Sequence, residues 1–283
     1  MIPVAFDYEV AESVDHALEL LGQHGDEAKL LAGGHSLLPI MKLRLAAPAL
    51  LVDLGRITDL NYVRDEGDHL AIGAMTRHTD VERNPIVQEH CGLLSYTASL
   101  VGDSQVRHRG TIGGSLAHAD AASDLPSALM ALDASFVVKG SSGERSVAVG
   151  DFFKDYLMSD LAEDEILTEV RVPKLSAGTG WSYQKFTRRL MDWAVVGVAA
   201  VVEKSNGSVG TARIGLTNMG STPLRATAAE SALSGADPGS VAEASNSADE
   251  GTSPSSDIAA SDEYRRHLAR VLTKRAVEEA LSR

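Results

Sequence analysis

Two stretches with adjacent glycines constrain this chain more than any other feature. Thr111–Pro126 reads TIGGSLAHADAASDLP, with Gly113 and Gly114 between a β-branched pair and a run of small residues ending at Asp124. An earlier segment, Ala32–Pro39, reads AGGHSLLP. Both follow apolar, strand-like residues. Adjacent glycines allow positive φ angles and let another group approach the main chain closely. The small side chains of Ser115, Ala117, Ala119, Ala121 and Ala122 leave room for a ligand. Peptide N–H groups bared by such loops form concave anion sites that suit a diphosphate. One double glycine is more often just a tight turn. Two of them, in similar surroundings, predict a dinucleotide site assembled from distant parts of the chain. No G-x-G-x-x-G is present, which disfavours a standard nicotinamide-binding fold.

At 283 residues the chain is long enough for a proper core and for two or three lobes. A formal charge of -13 argues against general nucleic-acid binding, because there is no basic surplus to neutralise phosphates. The single cysteine, Cys91, can form no internal disulfide and cannot supply a cluster for iron–sulfur or structural zinc. It reads as a small buried side chain. Neither a signal peptide nor an uninterrupted apolar span of membrane length is apparent, which predicts a cytoplasmic protein.

Residues 1–55 read as a first lobe in β-α-β order. Ser13 caps a helix carrying Val14, Ala17, Leu18 and Leu21, Gly22 and Gly25 end it, and Lys29–Ala32 and Leu50–Leu54 are strands around the first glycine loop. Residues 56–175 form a second lobe. Its strands are expected at His69–Met75, Ser135–Lys139, Arg145–Val149 and Glu165–Val172, with Thr76 as a helix N-cap and a helix from Ser123 that tolerates Pro126 in its first turn. Residues 176–283 form a third lobe, with strands at Trp181–Phe186, Ala194–Glu203 and Val209–Leu216 and a hairpin at Asn206-Gly207. Its last helix starts at Asp262, with Tyr264, Leu268, Val271, Leu272, Ala276 and Val277 as the apolar stripe.

The two glycine segments resemble the paired flavin-binding loops of the FAD subunit of molybdenum hydroxylases. That family includes aerobic carbon monoxide dehydrogenase, xanthine dehydrogenase and the bacterial N-heterocycle dehydrogenases. The resemblance continues through GDSQVRHRGTIGG, DEILTEVRVP and KFTRRLMDWAVVGVAA, covers nearly the whole chain, and leans to the carbon monoxide dehydrogenase type. It implies an α+β protein: a two-lobed FAD-binding fold of the vanillyl-alcohol-oxidase/PCMH type, not Rossmann, plus a C-terminal lobe of antiparallel sheet and helices. Implied partners are a small subunit with two [2Fe–2S] clusters and a large subunit with the molybdenum cofactor, in a dimer of heterotrimers. Electrons would pass from the clusters through FAD to an external acceptor such as quinone, placing the complex in the cytoplasm or at the inner face of its membrane.

Under this resemblance Ala32, Gly33, Gly34, His35, Ser36 and Leu37, with Thr111, Ile112, Gly113 and Gly114, form a pyrophosphate cradle acting mainly through backbone N–H groups. Ser36 and Thr111 can add hydroxyl donors. His35 either contacts a phosphate or packs against its loop. Ser115 stands where the family often has Asn. Asp124 is either a flavin contact, as in the family, or a helix N-terminal carboxylate stabilised by the dipole. Ile166 and Leu167 would lie against the flavin or adenine, although periodicity alone makes them core. Lys185 matches the family's lysine near the flavin, where a cation stabilises reduced flavin. Trp193 covers a flavin face, or packs in the core, or meets another subunit. Arg107 and Arg109 either attract phosphate or stay solvated. No catalytic residue and no metal ligand is assigned. The alternatives are an N-heterocycle or aldehyde dehydrogenase subunit of the same family, a stand-alone FAD-dependent reductase, or a scaffold whose loops have lost the flavin.

Overall fold

The computed structural model describes all residues, Met1–Arg283. The chain builds three main sheets in succession. In the first, β1 (Asp7–Val10), β2 (Ala28–Leu31) and β3 (Leu50–Asp53) are parallel, with β3 in the middle. Helix α1 (Val14–His24) makes the crossover. Ser13 caps it as expected, accepting from the His16 N–H at 3.1 Å, and Gly25 closes it at φ 53° while Gly22 lies inside. Helix α2 (Leu37–Lys42) follows the first glycine segment.

The second sheet is antiparallel, in the order β4 (Val63–Asp65), β5 (His69–Gly73), β10 (Glu165–Pro173), β6 (Ser135–Gly140) and β7 (Gly143–Ala148). Between β5 and β6 run six helices: α3 (His78–Arg83), α4 (Pro85–His90), α5 (Gly92–Ser99), α6 (Ser104–Arg107), α7 (Ile112–His118) and α8 (Asp124–Ala131). After β7 come a single helical turn, α9 (Val149–Phe152), and the small hairpin β8–β9 (Phe153–Asp155 and Met158–Ser159). The third sheet, β11 (Gly180–Phe186), β12 (Val196–Ser205), β13 (Ser208–Thr217) and β14 (Leu224–Arg225), is also antiparallel. It is backed by α10 (Thr227–Leu233), α11 (Val241–Ala244) and the long α12 (Asp262–Ser282).

Three apolar cores accompany the sheets, and β10, α8 and the β11–β12 pair join them, with Tyr183, Ala199 and Val201 packing in the second core. Strand β10 serves two cores because side chains alternate across a strand. Ile166 packs with the first lobe, and Leu167 packs with the helices of the second. Helix α8 has every residue buried, and Gly215 of β13 lies against it so closely that an added Cβ would sit 1.9 Å from the Ser127 carbonyl oxygen. Ser123 occupies the α8 N-cap position and Pro126 its first turn, as expected.

Three local expectations need correction. Thr76 does not cap α3; its hydroxyl donates to the Tyr62 carbonyl at 3.0 Å and accepts from the Tyr62 N–H at 3.2 Å, and Arg77 takes the cap position. The second glycine pair lies in no open loop, because Gly113 and Gly114 form the first turn of α7. In α12, Tyr264 is exposed and Arg265 is buried in its place. The stripe turns there because the Arg265 guanidinium has partners in the Val195 carbonyl and Asp257.

Candidate functional site

A cavity of about 640 Å³ lies where the lobes meet, and Gly33 and Gly113 line it together. Its wall also takes Ala32, Gly34, His35, Ser36 and Leu37 from the first glycine segment, and Thr111, Gly114 and Ser115 from the second. Asp124, Ile166, Leu167, Lys185 and Trp193 complete the predicted set. Ile112 is the exception. It is fully buried in the core, and its N–H donates to the Thr76 carbonyl at 2.9 Å.

The two glycine segments touch one another. A Cβ on Gly33 would lie 2.3 Å from the Arg109 carbonyl oxygen and 2.7 Å from the Gly110 Cα. One on Gly114 would lie 3.3 Å from the Ala32 Cβ. Glycine is required here for chain-to-chain approach. Only Gly34, at φ 77°, needs the left-handed region.

The two segments divide the work differently from the symmetrical cradle expected. In the second, the N–H of Gly113 donates to the Ala74 carbonyl at 2.8 Å, that of Gly114 to Thr111 Oγ1 at 3.1 Å, and that of Ser115 to the Thr111 carbonyl at 3.1 Å. These donors are spent within the protein, although the Thr111 hydroxyl keeps its own proton free. In the first segment, the six consecutive N–H groups from Ala32 to Leu37 find no protein acceptor. Ser36 makes no capping bond to α2 either. Such a run of unpaired donors has the chemistry that suits an anion.

Across the cavity, Lys185 Nζ donates to Asp124 Oδ2 at 2.7 Å and to the Leu100 carbonyl at 3.0 Å. Both side chains of the pair are almost wholly buried. Burial pushes the Asp124 carboxyl up, against the opposing pull of Lys185 and of the Tyr183 hydroxyl, which donates to Oδ1 at 2.9 Å. Tyr183 lies 3.2 Å from Thr217 Oγ1, and Thr217 meets the Ser127 hydroxyl, so the network runs from the cavity into the third lobe. Burial, followed by the Asp124 charge, pushes the Tyr183 phenol well above its usual range.

The other predicted residues separate. Ile166 and Leu167 are buried on opposite faces of β10, yet both reach the wall. His35 is exposed at the cavity. Trp193 is 58% exposed, which excludes the core reading; like the exposed Met191, it lines the cavity. Arg107 is held by Glu82 at 2.9 Å and by the Val101 carbonyl at 3.2 Å, and Arg109 does not line the cavity. Sequence reasoning missed Tyr183 and His78. Tyr183 is two residues from Lys185 on the same strand face, a period-two signal that could have found it. His78, one of nine scattered histidines, carried no such signal.

Residues 4–175 match the FAD binding domain in molybdopterin dehydrogenase, and residues 181–280 match the CO dehydrogenase flavoprotein C-terminal domain. The chain is 44% identical over 285 residues to the carbon monoxide dehydrogenase medium chain of Hydrogenophaga pseudoflava, covering 100% of this chain and 99% of that one. It is 37% identical over 286 residues to caffeine dehydrogenase subunit beta of Pseudomonas sp. (strain CBB1), covering 100% and 97%. Among solved structures, it superposes on quinoline 2-oxidoreductase from Pseudomonas putida 86 with a TM-score of 0.95 and 34% identity, covering 100% and 99% of the two chains. Against carbon monoxide dehydrogenase from Hydrogenophaga pseudoflava lacking the Mo-pyranopterin moiety, the TM-score is 0.97 at 46% identity, covering 100% and 99%.

Proposed function

Because the chain belongs to the family of FAD-binding subunits of molybdopterin dehydrogenases, we propose that it holds FAD in this cavity and relays electrons from an iron–sulfur partner to an external acceptor. The observation that carries the site is the run of six unpaired N–H groups at Ala32–Leu37, set in a cavity that also holds a buried cation. When bound, FAD supplies reversible redox chemistry that side chains lack. The chain's own residues bind and bias it. Ala32–Leu37 offer donors to the diphosphate, and the Thr111 and Ser36 hydroxyls add to them. Lys185, anchored by Asp124 and the Leu100 carbonyl, keeps one ammonium N–H beyond those two bonds, which would favour the anionic reduced form. Ile166 and Leu167 present apolar surface for the rings.

Substrate oxidation belongs to another polypeptide. Relatives named for carbon monoxide and for caffeine both align with all of this chain, so the substrate is not written in it. The proposed partners are a small subunit with two [2Fe–2S] clusters and a large one with the molybdenum cofactor, as a dimer of heterotrimers. Cys91, alone and buried, cannot ligate clusters here, and the exposed side chains of Leu190, Met191 and Trp193, close together in sequence, offer a partner an apolar contact. By resemblance we assign the complex to the carbon monoxide dehydrogenase type, with quinone as acceptor and a place in the cytoplasm or at the inner face of its membrane. No helix is long and apolar enough to cross a membrane.

Purification of the chain with its co-expressed partners tests the reading. Flavin in equal molar amount to this chain is expected. A complex that carries clusters and molybdenum but no flavin would overturn it. Reoxidation of the reduced complex by quinone rather than oxygen tests the acceptor.

A further inference from the structure

His78 stands behind the junction of the two glycine segments. Its backbone N–H donates to the Gly110 carbonyl at 3.0 Å, and Arg77 bridges Thr111 beside it. The ring presses on Gly110 so closely that a Cβ there would lie 2.9 Å from His78 Nε2. Gly110 in turn abuts Gly33 at the start of the unpaired N–H run. The residue is only 4% exposed, yet it belongs to the cavity wall. Its two nitrogens differ. Nδ1 is sealed inside the protein without a partner, whereas Nε2 lies on the Gly110 side of the ring.

Burial, helped by the nearby Arg107 and His35, lowers the imidazole to about 4, so the ring is neutral near pH 7 and carries one proton. A proton on Nδ1 would be a buried donor with no acceptor. An N–H left in that state is rarer and costlier than an unsatisfied lone pair. The proton therefore belongs on Nε2, the nitrogen on the Gly110 side of a ring whose residue lines the cavity. We infer that His78 is a further cofactor-binding residue, donating its Nε2–H to an anionic oxygen of the dinucleotide's diphosphate. The inference rests on the reading of the cavity as an FAD site, and it adds a neutral donor from α3 to the backbone donors of the first segment.

The test uses the full chain with its co-purifying subunits, stripped of flavin and titrated with FAD. His78→Leu removes the donor, and His78→Gln restores an amide N–H near the Nε2 position. Loss of one hydrogen bond to a charged group predicts about tenfold weaker FAD binding for His78→Leu, with His78→Gln within about threefold of wild type. The ³¹P resonances of bound FAD should move in the leucine variant, a change that packing alone would not produce. Should His78→Leu fail to fold, His78→Asn replaces it, because its shorter amide reaches the Nδ1 position only; it should then bind more weakly than His78→Gln. Wild-type affinity in His78→Leu, equal losses in the variants, or an unmoved ³¹P spectrum would overturn the inference. Wild-type protein that takes up no FAD would instead defeat the cofactor reading itself.

Discussion

Lys185 and Asp124 form an ion pair that is nearly closed to water, and each depends on the other for its charge. Removing one partner of such a pair leaves an uncompensated buried charge, so Lys185→Met should cost about 3–5 kcal/mol in urea unfolding. Lys185→Met combined with Asp124→Asn should cost less than Lys185→Met alone, which a double-mutant cycle would measure. His78 makes a different demand. Its folded pKa of about 4 lies below the ordinary 6.5, so the unfolded chain binds the extra proton first as pH falls. The stability it contributes is fully present above about 6.5 and drains away toward about 4, to a total of about 3 kcal/mol. His78→Gln should flatten that part of the urea-stability profile. Of these residues, Lys185 and Asp124 were legible through motif resemblance. Their bond to one another was not, because it joins α8 to β11 across 61 positions of sequence.

Among the elements, the first glycine segment and α7 show where pattern reading succeeds and where it stops. That the two would meet was legible, since each had small residues beside a double glycine. That one would bare its N–H groups and the other consume them was not. The difference lies in hydrogen bonds from α7 to Ala74 and Thr76, residues that no local window connects to it. Thr76 misled for the same reason, its hydroxyl being taken by Tyr62 across the sheet. Gly33→Ala should therefore act through sterics. Its Cβ meets backbone atoms, which cannot rotate away, and a cost of about 1–3 kcal/mol follows. The accompanying loss of bound flavin should be visible as lost yellow absorbance.

Over the whole molecule, the third lobe is tied to the cavity by α8 and the Tyr183 network. Gly215→Ala would push β13 off the Ser127 carbonyl and should lower thermal stability by about 3 kcal/mol, although position 215 lies outside the cavity wall. A melting curve unchanged from wild type would show that this contact carries no weight. Strands β11 to β13 and helix α12 of this lobe were readable from the sequence pattern, whereas β14 and α10 were not. How it sits on α8 was not, because that depends on backbone proximity at one glycine.

The cavity wall draws on residues from Leu21 to Trp193. A ribosome making this chain can therefore offer a cofactor no finished place to settle until Trp193 has left the exit tunnel. Loading must follow synthesis of at least that much polypeptide, and a nascent fragment ending before Lys185 would emerge colourless.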